Sequence, residues 1–253
     1  MESYATAQQV FAAGLVFARM SAIIMLIPGL GETFVPARIR LAFALAMALV
    51  MVPLLGAAVP PVPAAVSGVA GAVIKEVLIG LLIGTILRLF TSSLAAAGEV
   101  VSIQTTLAFA QTANPTQAQP STTIGTFLGL LGIVLIMTTD LHQMFIAAIV
   151  KSYEVFPFTR AIQVADAGEL AIRTVSQSFA LGLQLAAPVV AFSLIFNIAT
   201  GLVGRVMPQF QIFFVATPLM LLLGLSVFAL SLGAIGIVWV DHYRQLVSVF
   251  ARP

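Results

Sequence analysis

The chain has 253 residues, of which 60% are hydrophobic and only 8% charged, and its mean hydropathy is +1.12. A soluble domain carries roughly 25% charged residues, so this composition excludes an ordinary globular domain and points to a polytopic membrane protein. The formal charge of +2 is scattered with no basic cluster, which argues against nucleic acid as a partner, and the absence of cysteine removes disulfides, iron–sulfur clusters and thiolate zinc sites together.

A spanning helix needs about 20 apolar residues, and uncharged runs of that length occur at 41–74, 100–139, 174–204 and 206–240. These runs are continuous and do not alternate with period two, which excludes a membrane β-barrel. The predicted fold is all-α, with six to seven tilted and partly broken helical segments ending in a long hairpin. The amino-terminal MESYATAQQV carries Glu2 and no basic residue, unlike the positive start of a cleavable signal, and is read as mature protein.

The first predicted segment, about 8–27, is interrupted by Arg19 and closed by Pro28-Gly29-Leu30-Gly31. An ionisable group inside a span costs about 2.5–3.5 kcal/mol on insertion scales, so Arg19 is expected to face protein or water; an arginine that snorkels, or pairs with a neighbouring subunit for stability alone, fits equally. A short polar turn with Arg38 and Arg40 then leads into a segment over 41–55, ended by Gly56 and the prolines at 60, 61 and 63. The third segment, about 66–90, holds Lys75 next to Glu76 and is closed by Arg88. Adjacent helical residues point about 100° apart, so Lys75 and Glu76 cannot neutralise each other and each needs a partner from elsewhere. Gly80 and Gly84 give this segment a small face that another backbone can approach.

Residues 99–121, EVVSIQTTLAFAQTANPTQAQPS, are polar chain between oily segments. A helix over 91–113 would gather Ser92, Glu99, Ser102 and Thr106 near one face, with Glu99 either functional or hydrogen-bonded for structure within an assembly. Asn114-Pro115 stops that helix, and another resumes near 122–124 with hydroxyls suited to capping. Irregular polar chain at membrane depth must be buried in protein or line a water-filled space, so this stretch suggests a conduit.

The next segment, 124–137, runs into Asp140-Leu141-His142, where no second histidine or ligand-spaced glutamate supports a metal site. Residues 151–173 are the most charged part of the chain and read as a solvated, cytoplasmic excursion. Two long apolar segments, 174–204 and 210–240, are joined so briefly around Pro208 that they form an antiparallel hairpin. Pro188 and Pro218 lie inside them. With the amino terminus outside and the carboxyl terminus inside, nearly all basic residues fall on the cytoplasmic side, Arg205 excepted, provided that 91–121 counts as one crossing.

Several runs in order carry a resemblance. They are Phe17-Ala-Arg-Met-Ser21, Pro36-Ala-Arg-Ile-Arg-Leu41, Lys75-Glu-Val-Leu-Ile-Gly-Leu81, Ala97-Gly-Glu-Val-Val-Ser-Ile-Gln-Thr105 with Leu107-Ala-Phe-Ala110 and Asn114-Pro115, and Ser152-Tyr-Glu-Val-Phe-Pro157. Together they resemble the R-type export-gate family of type III secretion, the flagellar FliR proteins and their virulence counterparts. One departure is Asp140-Leu-His-Gln143, where the family tends to show Asp-Gly-His-His.

The resemblance implies a single-copy subunit that assembles with several P-type and Q-type gate subunits into a helical hetero-oligomeric export gate. Its place would be the bacterial inner membrane, at the core of the flagellar basal body in preference to an injectisome, beside other export-apparatus membrane proteins. Residues 1–173 would be the P-like region and 174–253 a Q-like hairpin, Ala186-Ala-Pro188 and Gly201-Leu202 resembling the Q subunit's first helix. Unfolded secreted proteins would pass through the channel, driven by the membrane potential and an associated ATPase. By the same resemblance the loop over 104–121 is a pore plug, with Gln104, Leu107, Phe109, Gln111, Asn114, Pro115 and Gln117 as its working residues and Leu107 and Phe109 as an apolar seal. Arg19, Lys75, Glu76, Arg88 and Glu99 would become tolerable by pairing across subunit interfaces. No catalytic activity, cofactor or metal is expected, since the chain has no Walker motif, GxGxxG or supportable nucleophile–histidine arrangement. A secondary transporter or small-solute permease subunit is the alternative that broken helices and intramembrane charges also allow, although no internal repeat supports it.

Overall fold

The computed structural model describes residues 6–55, 58–108, 122–160, 164–209 and 211–251. Among these there are seven helices and no strand: α1 (Ala7–Leu26), α2 (Ala37–Leu55), α3 (Val66–Gln104), α4 (Thr123–Thr138), α5 (Leu141–Val155), α6 (Val164–Val206) and α7 (Ile212–Ala251). Five are long and apolar enough to cross a membrane, and α4 with α5, which follow each other across a short break, would make a sixth crossing if taken together. The protein is thus an all-α polytopic membrane protein.

The helix ends follow local chemistry. Thr6 caps α1, its hydroxyl accepting from the Gln9 N–H while the Gln9 side chain accepts from the Thr6 N–H. Beyond α1 the chain turns through Gly29, whose φ of 88° lies in the left-handed region that glycine adopts freely. Arg38 and Arg40 lie inside the first turns of α2, where a turn was predicted, because Pro36 suits a helix start and nothing between it and Leu41 breaks the helix.

The larger correction concerns α3. Two segments were predicted on either side of Arg88, yet one helix of 39 residues runs through it. A charge is a poor helix breaker; proline and glycine are the strong ones, and 85–97 contains neither. The charged excursion is likewise partly helical, with Asp166, Glu169 and Arg173 on the first turns of α6 and Glu169 paired to Arg173 on the exposed surface.

The chain divides into two compact units. One comprises the described parts of 1–90, 140–175 and 244–253. Here α1 packs along α2, and the Gly80 and Gly84 face of α3 receives α1: a Cβ at Gly80 would come 2.7 Å from the Arg19 carbonyl oxygen, and one at Gly84 would come 2.7 Å from Leu26 Cβ. Its core includes Leu15, Met20, Ile23, Ile79, Ile83 and Leu141.

The other unit comprises the described parts of 91–139 and 176–243. In it α6 and α7 run antiparallel, with Gly204 facing Ile212 and Gly224 facing Phe192. Trp239 is fully buried, donates from its indole to Ser93 Oγ at 3.2 Å and stacks at a tilt on Tyr243, whose hydroxyl lies 3.2 Å from Thr91 Oγ1.

Candidate functional site

The predicted plug lies between the end of α3 and the start of α4, and both ends of that interval are held together. Thr122 precedes α4 as its N-cap: its hydroxyl accepts from the Gly125 N–H at 3.1 Å, and it also accepts from Ser102 Oγ of α3 at 2.9 Å. The Thr122 backbone N–H donates to Glu99 Oε1 at 2.8 Å. One threonine therefore starts a helix and ties it to the preceding one. This contact is possible because two glycines meet, a Cβ at Gly98 coming 2.5 Å from the Gly125 Cα. No side chain larger than hydrogen fits there without a backbone shift.

At the other side of this neck α3 is ended deliberately. Thr105 folds its hydroxyl back onto the Val101 carbonyl at 2.9 Å, and Thr106 takes a left-handed φ of 63° while its N–H donates to the Ile103 carbonyl. A β-branched residue is costly in that conformation, so surrounding structure must hold it. Beside Thr106, the α6–α7 turn region forms an open cleft of about 450 Å³ lined by Phe196, Asn197, Thr200, Ile212 and Met220.

Of the predicted plug residues, Gln104 closes α3 and Leu107 follows the left-handed turn, both half-buried. Phe109, Gln111, Asn114, Pro115 and Gln117 lie outside the described residues. Glu99 is half-buried and engaged at the neck.

The other predicted charges belong to a cluster in the first unit. Arg19, fully buried on α1, places its Nε 2.6 Å from Glu76 Oε2 on α3, and neither side chain is more than 1% exposed. The rest of the guanidinium caps α5, donating to the Ser152 carbonyl at 3.0 Å and the Phe156 carbonyl at 2.8 Å. It also lies 4.1 Å from the centre of the Tyr153 ring. Lys75 points elsewhere, as its helical position requires, and donates to the carbonyls of Pro157 at 3.3 Å and Phe158 at 2.5 Å. The carboxyl-terminal end of a helix attracts cations, so Arg19 closes the end of α5, adding to the Phe156 N–H already on the Ser152 carbonyl, while Lys75 holds the loop just beyond it. Arg88 is exposed on α3, further along the same helix than Glu76.

Ser152 and Phe156 as ligands of Arg19, and Gly98, Thr122 and Gly125 as the neck, were not singled out from the sequence as a site. The signal for the first was a helix ending in Phe156-Pro157 without a basic residue in its last turn. For the second it was a capping threonine opposite a carboxylate-bearing helix, which spacing alone does not pair.

Asp140 and His142 stand apart. Asp140 has a left-handed φ of 59° at the α4–α5 bend and accepts from Gln143 Nε2 at 3.1 Å, while the buried Nδ1 of His142 has no hydrogen-bond partner. Among the described residues no three His, Asp or Glu side chains converge in a metal-binding group.

The model of the bacterial export proteins, family 1, matches residues 10–246. The chain belongs to that family. Flagellar biosynthetic protein FliR of Caulobacter vibrioides is 60% identical over 250 residues, covering 99% of this chain and 100% of the relative. FliR of Pectobacterium carotovorum is 30% identical over 216 residues, 85% of this chain and 82% of its own, and FliR of Aquifex aeolicus is 28% identical over 236 residues, 93% and 91%. For this member of the export family the match spans both the neck at 98–125 and the cluster at 19, 76 and 152–158.

Proposed function

We propose that the chain is a membrane subunit of the flagellar type III protein export apparatus that helps to form, and to close, the channel through which unfolded flagellar proteins cross the bacterial inner membrane. The observation that carries this reading is the end-to-end similarity to the Caulobacter FliR. Such a role needs binding and shape changes alone, and the subunit acts without catalysis of its own.

The working part is the interval 104–121. A tether that fixes both of its ends at one neck, through Glu99, Ser102 and Thr122, lets the chain between them act as a plug while its roots stay in place. Apolar side chains at 107 and 109 exclude water and ions by dewetting, and the glutamines and Asn114 offer no sticky surface to a passing polypeptide. The partners are P-type and Q-type gate subunits, residues 1–173 taking a P-like place and 174–253 a Q-like one. Of the five intramembrane charges, Arg19 and Glu76 satisfy each other and Lys75 is held by carbonyls. Arg88 is exposed, and we assign it to a contact with a neighbouring subunit.

Deleting residues 106–117 tests the plug. Cells carrying the assembled gate should show a raised ion leak; unchanged conductance and membrane potential would refute the assignment. Purification in mild detergent tests the wider reading, which requires a large hetero-oligomer, whereas a monomer or symmetric dimer would count against it.

A further inference from the structure

The first turns of α2 carry two cations and no acidic residue. Positive side chains at a helix amino terminus oppose the macrodipole, so this end needs an anion more than most. The described ion pairs involve neither Arg38 nor Arg40, and Glu32 in the preceding loop pairs with neither of them. Arg38 is exposed; Arg40 is half-buried, donates through Nη1 to the Gly31 carbonyl at 3.4 Å and has a buried Nε with no acceptor.

The face that begins at Arg38 is apolar. Leu41, Leu45 and Leu49 follow it at spacings of three, four and four, so all four residues share one side of the helix. Those leucines are 44%, 50% and 62% exposed, and α2 is among the helices long and apolar enough to cross a membrane. Helical side chains lean toward the amino terminus. Arg38 therefore reaches past the apolar stripe to the level where headgroups lie.

We propose that this face binds an anionic phospholipid, its phosphate held at Arg38 in a field strengthened by Arg40, and an acyl chain laid along Leu41, Leu45 and Leu49. A cation with no ion pair among the described residues, heading an exposed apolar stripe about 12 Å long that approaches the depth of one leaflet, is complementary to that one molecule at both ends. A protein carboxylate would satisfy the arginines and leave the stripe bare. A zwitterionic lipid brings its own cation and gains less from two arginines. Binding of this kind does not depend on what the channel carries.

The test titrates the purified full chain in mild detergent with phosphatidylglycerol or phosphatidylcholine and counts bound lipid by native mass spectrometry, circular dichroism confirming that each variant is folded. The wild-type chain should prefer phosphatidylglycerol. With each basic residue worth about 1 kcal/mol toward anionic lipid, Arg38→Gln with Arg40→Gln should weaken phosphatidylglycerol binding about 25-fold and phosphatidylcholine binding much less, so that the preference is lost. Leu45→Gln should weaken both lipids alike, and Arg244→Gln neither. A double variant that keeps its preference, or an equal loss in Arg244→Gln, overturns the site. So does displacement of the lipid by inorganic phosphate alone, which would mark a free-anion site. Loss of co-purifying gate subunits from the double variant, with lipid binding intact, would assign the arginines to a protein carboxylate and also overturn it.

Discussion

The guanidinium of Arg19 and the carboxylate of Glu76 meet at 2.6 Å with both side chains closed to solvent. Removing one partner of a buried ion pair costs about 3–5 kcal/mol because the other is left charged and unpaired, whereas replacing both with apolar residues is often far milder. Arg19→Met should therefore lower the unfolding midpoint in detergent sharply. Arg19→Met with Glu76→Leu should recover part of that loss, though not all, since the Phe156 carbonyl loses its Arg19 donor and the Ser152 carbonyl keeps only the Phe156 N–H. A double variant as unstable as the single one would show that the pair matters only through the α5 cap.

This cluster marks how far the sequence could be read. That Arg19, Lys75 and Glu76 needed partners followed from their place in apolar helices, and that Lys75 and Glu76 must diverge followed from helix geometry. Their ligands lie 57 to 137 residues away in the chain, and several are backbone carbonyls, which carry no sequence signal. The membrane class, the helix number and the final hairpin were legible because hydropathy and proline placement are local. The unbroken length of α3 was not, since Arg88 reads the same in a helix end and in a helix middle. The neck was legible as a polar stop and restart; that Gly98 and Gly125 touch depends on tertiary approach.

Trp239 offers a second test within the other unit. Trp239→Phe keeps most of its volume and removes the donor to Ser93, a loss of about 1 kcal/mol. Trp239→Ala empties a fully buried site that also touches Tyr243, and should cost about 3–5 kcal/mol. Thermal unfolding followed by near-UV circular dichroism would separate the two; similar losses would mean that the hydrogen bond outweighs the packing.

Thr106 and Asp140 both hold left-handed backbone, and substitution should test the strain at each. Glycine relieves about 1–2 kcal/mol of steric cost in that conformation but gives back about 0.5–1 kcal/mol in chain entropy. Thr106→Gly and Asp140→Gly should each be neutral or slightly stabilising by unfolding midpoint. Asp140→Val should be destabilising, because a β-branched side chain meets the same steric cost without the local hydrogen bond to Gln143. Gain from valine at 140 would disprove the strained turn at the α4–α5 bend.

The neck offers the most direct test of the proposed plug. Glu99→Gln keeps an oxygen that can accept from the Thr122 N–H, so it should leave both stability and channel closure nearly unchanged. Glu99→Ala leaves that N–H without its acceptor, at a cost of about 1–3 kcal/mol. Thr122→Val removes the cap of α4 and the acceptor for Ser102 together, costing about 1 kcal/mol for the cap alone. If the neck fixes the roots of the plug, ion leak across the membrane of cells carrying the assembled gate should rise in the order wild type, Glu99→Gln, then Glu99→Ala and Thr122→Val, with motility falling in the same order. Gly125→Val should be the most damaging, since its branched side chain would be driven into Glu99 and the closely packed neck. A leak that appears equally in Glu99→Gln would mean that the carboxylate's charge, and not its hydrogen bond to Thr122, keeps the channel shut.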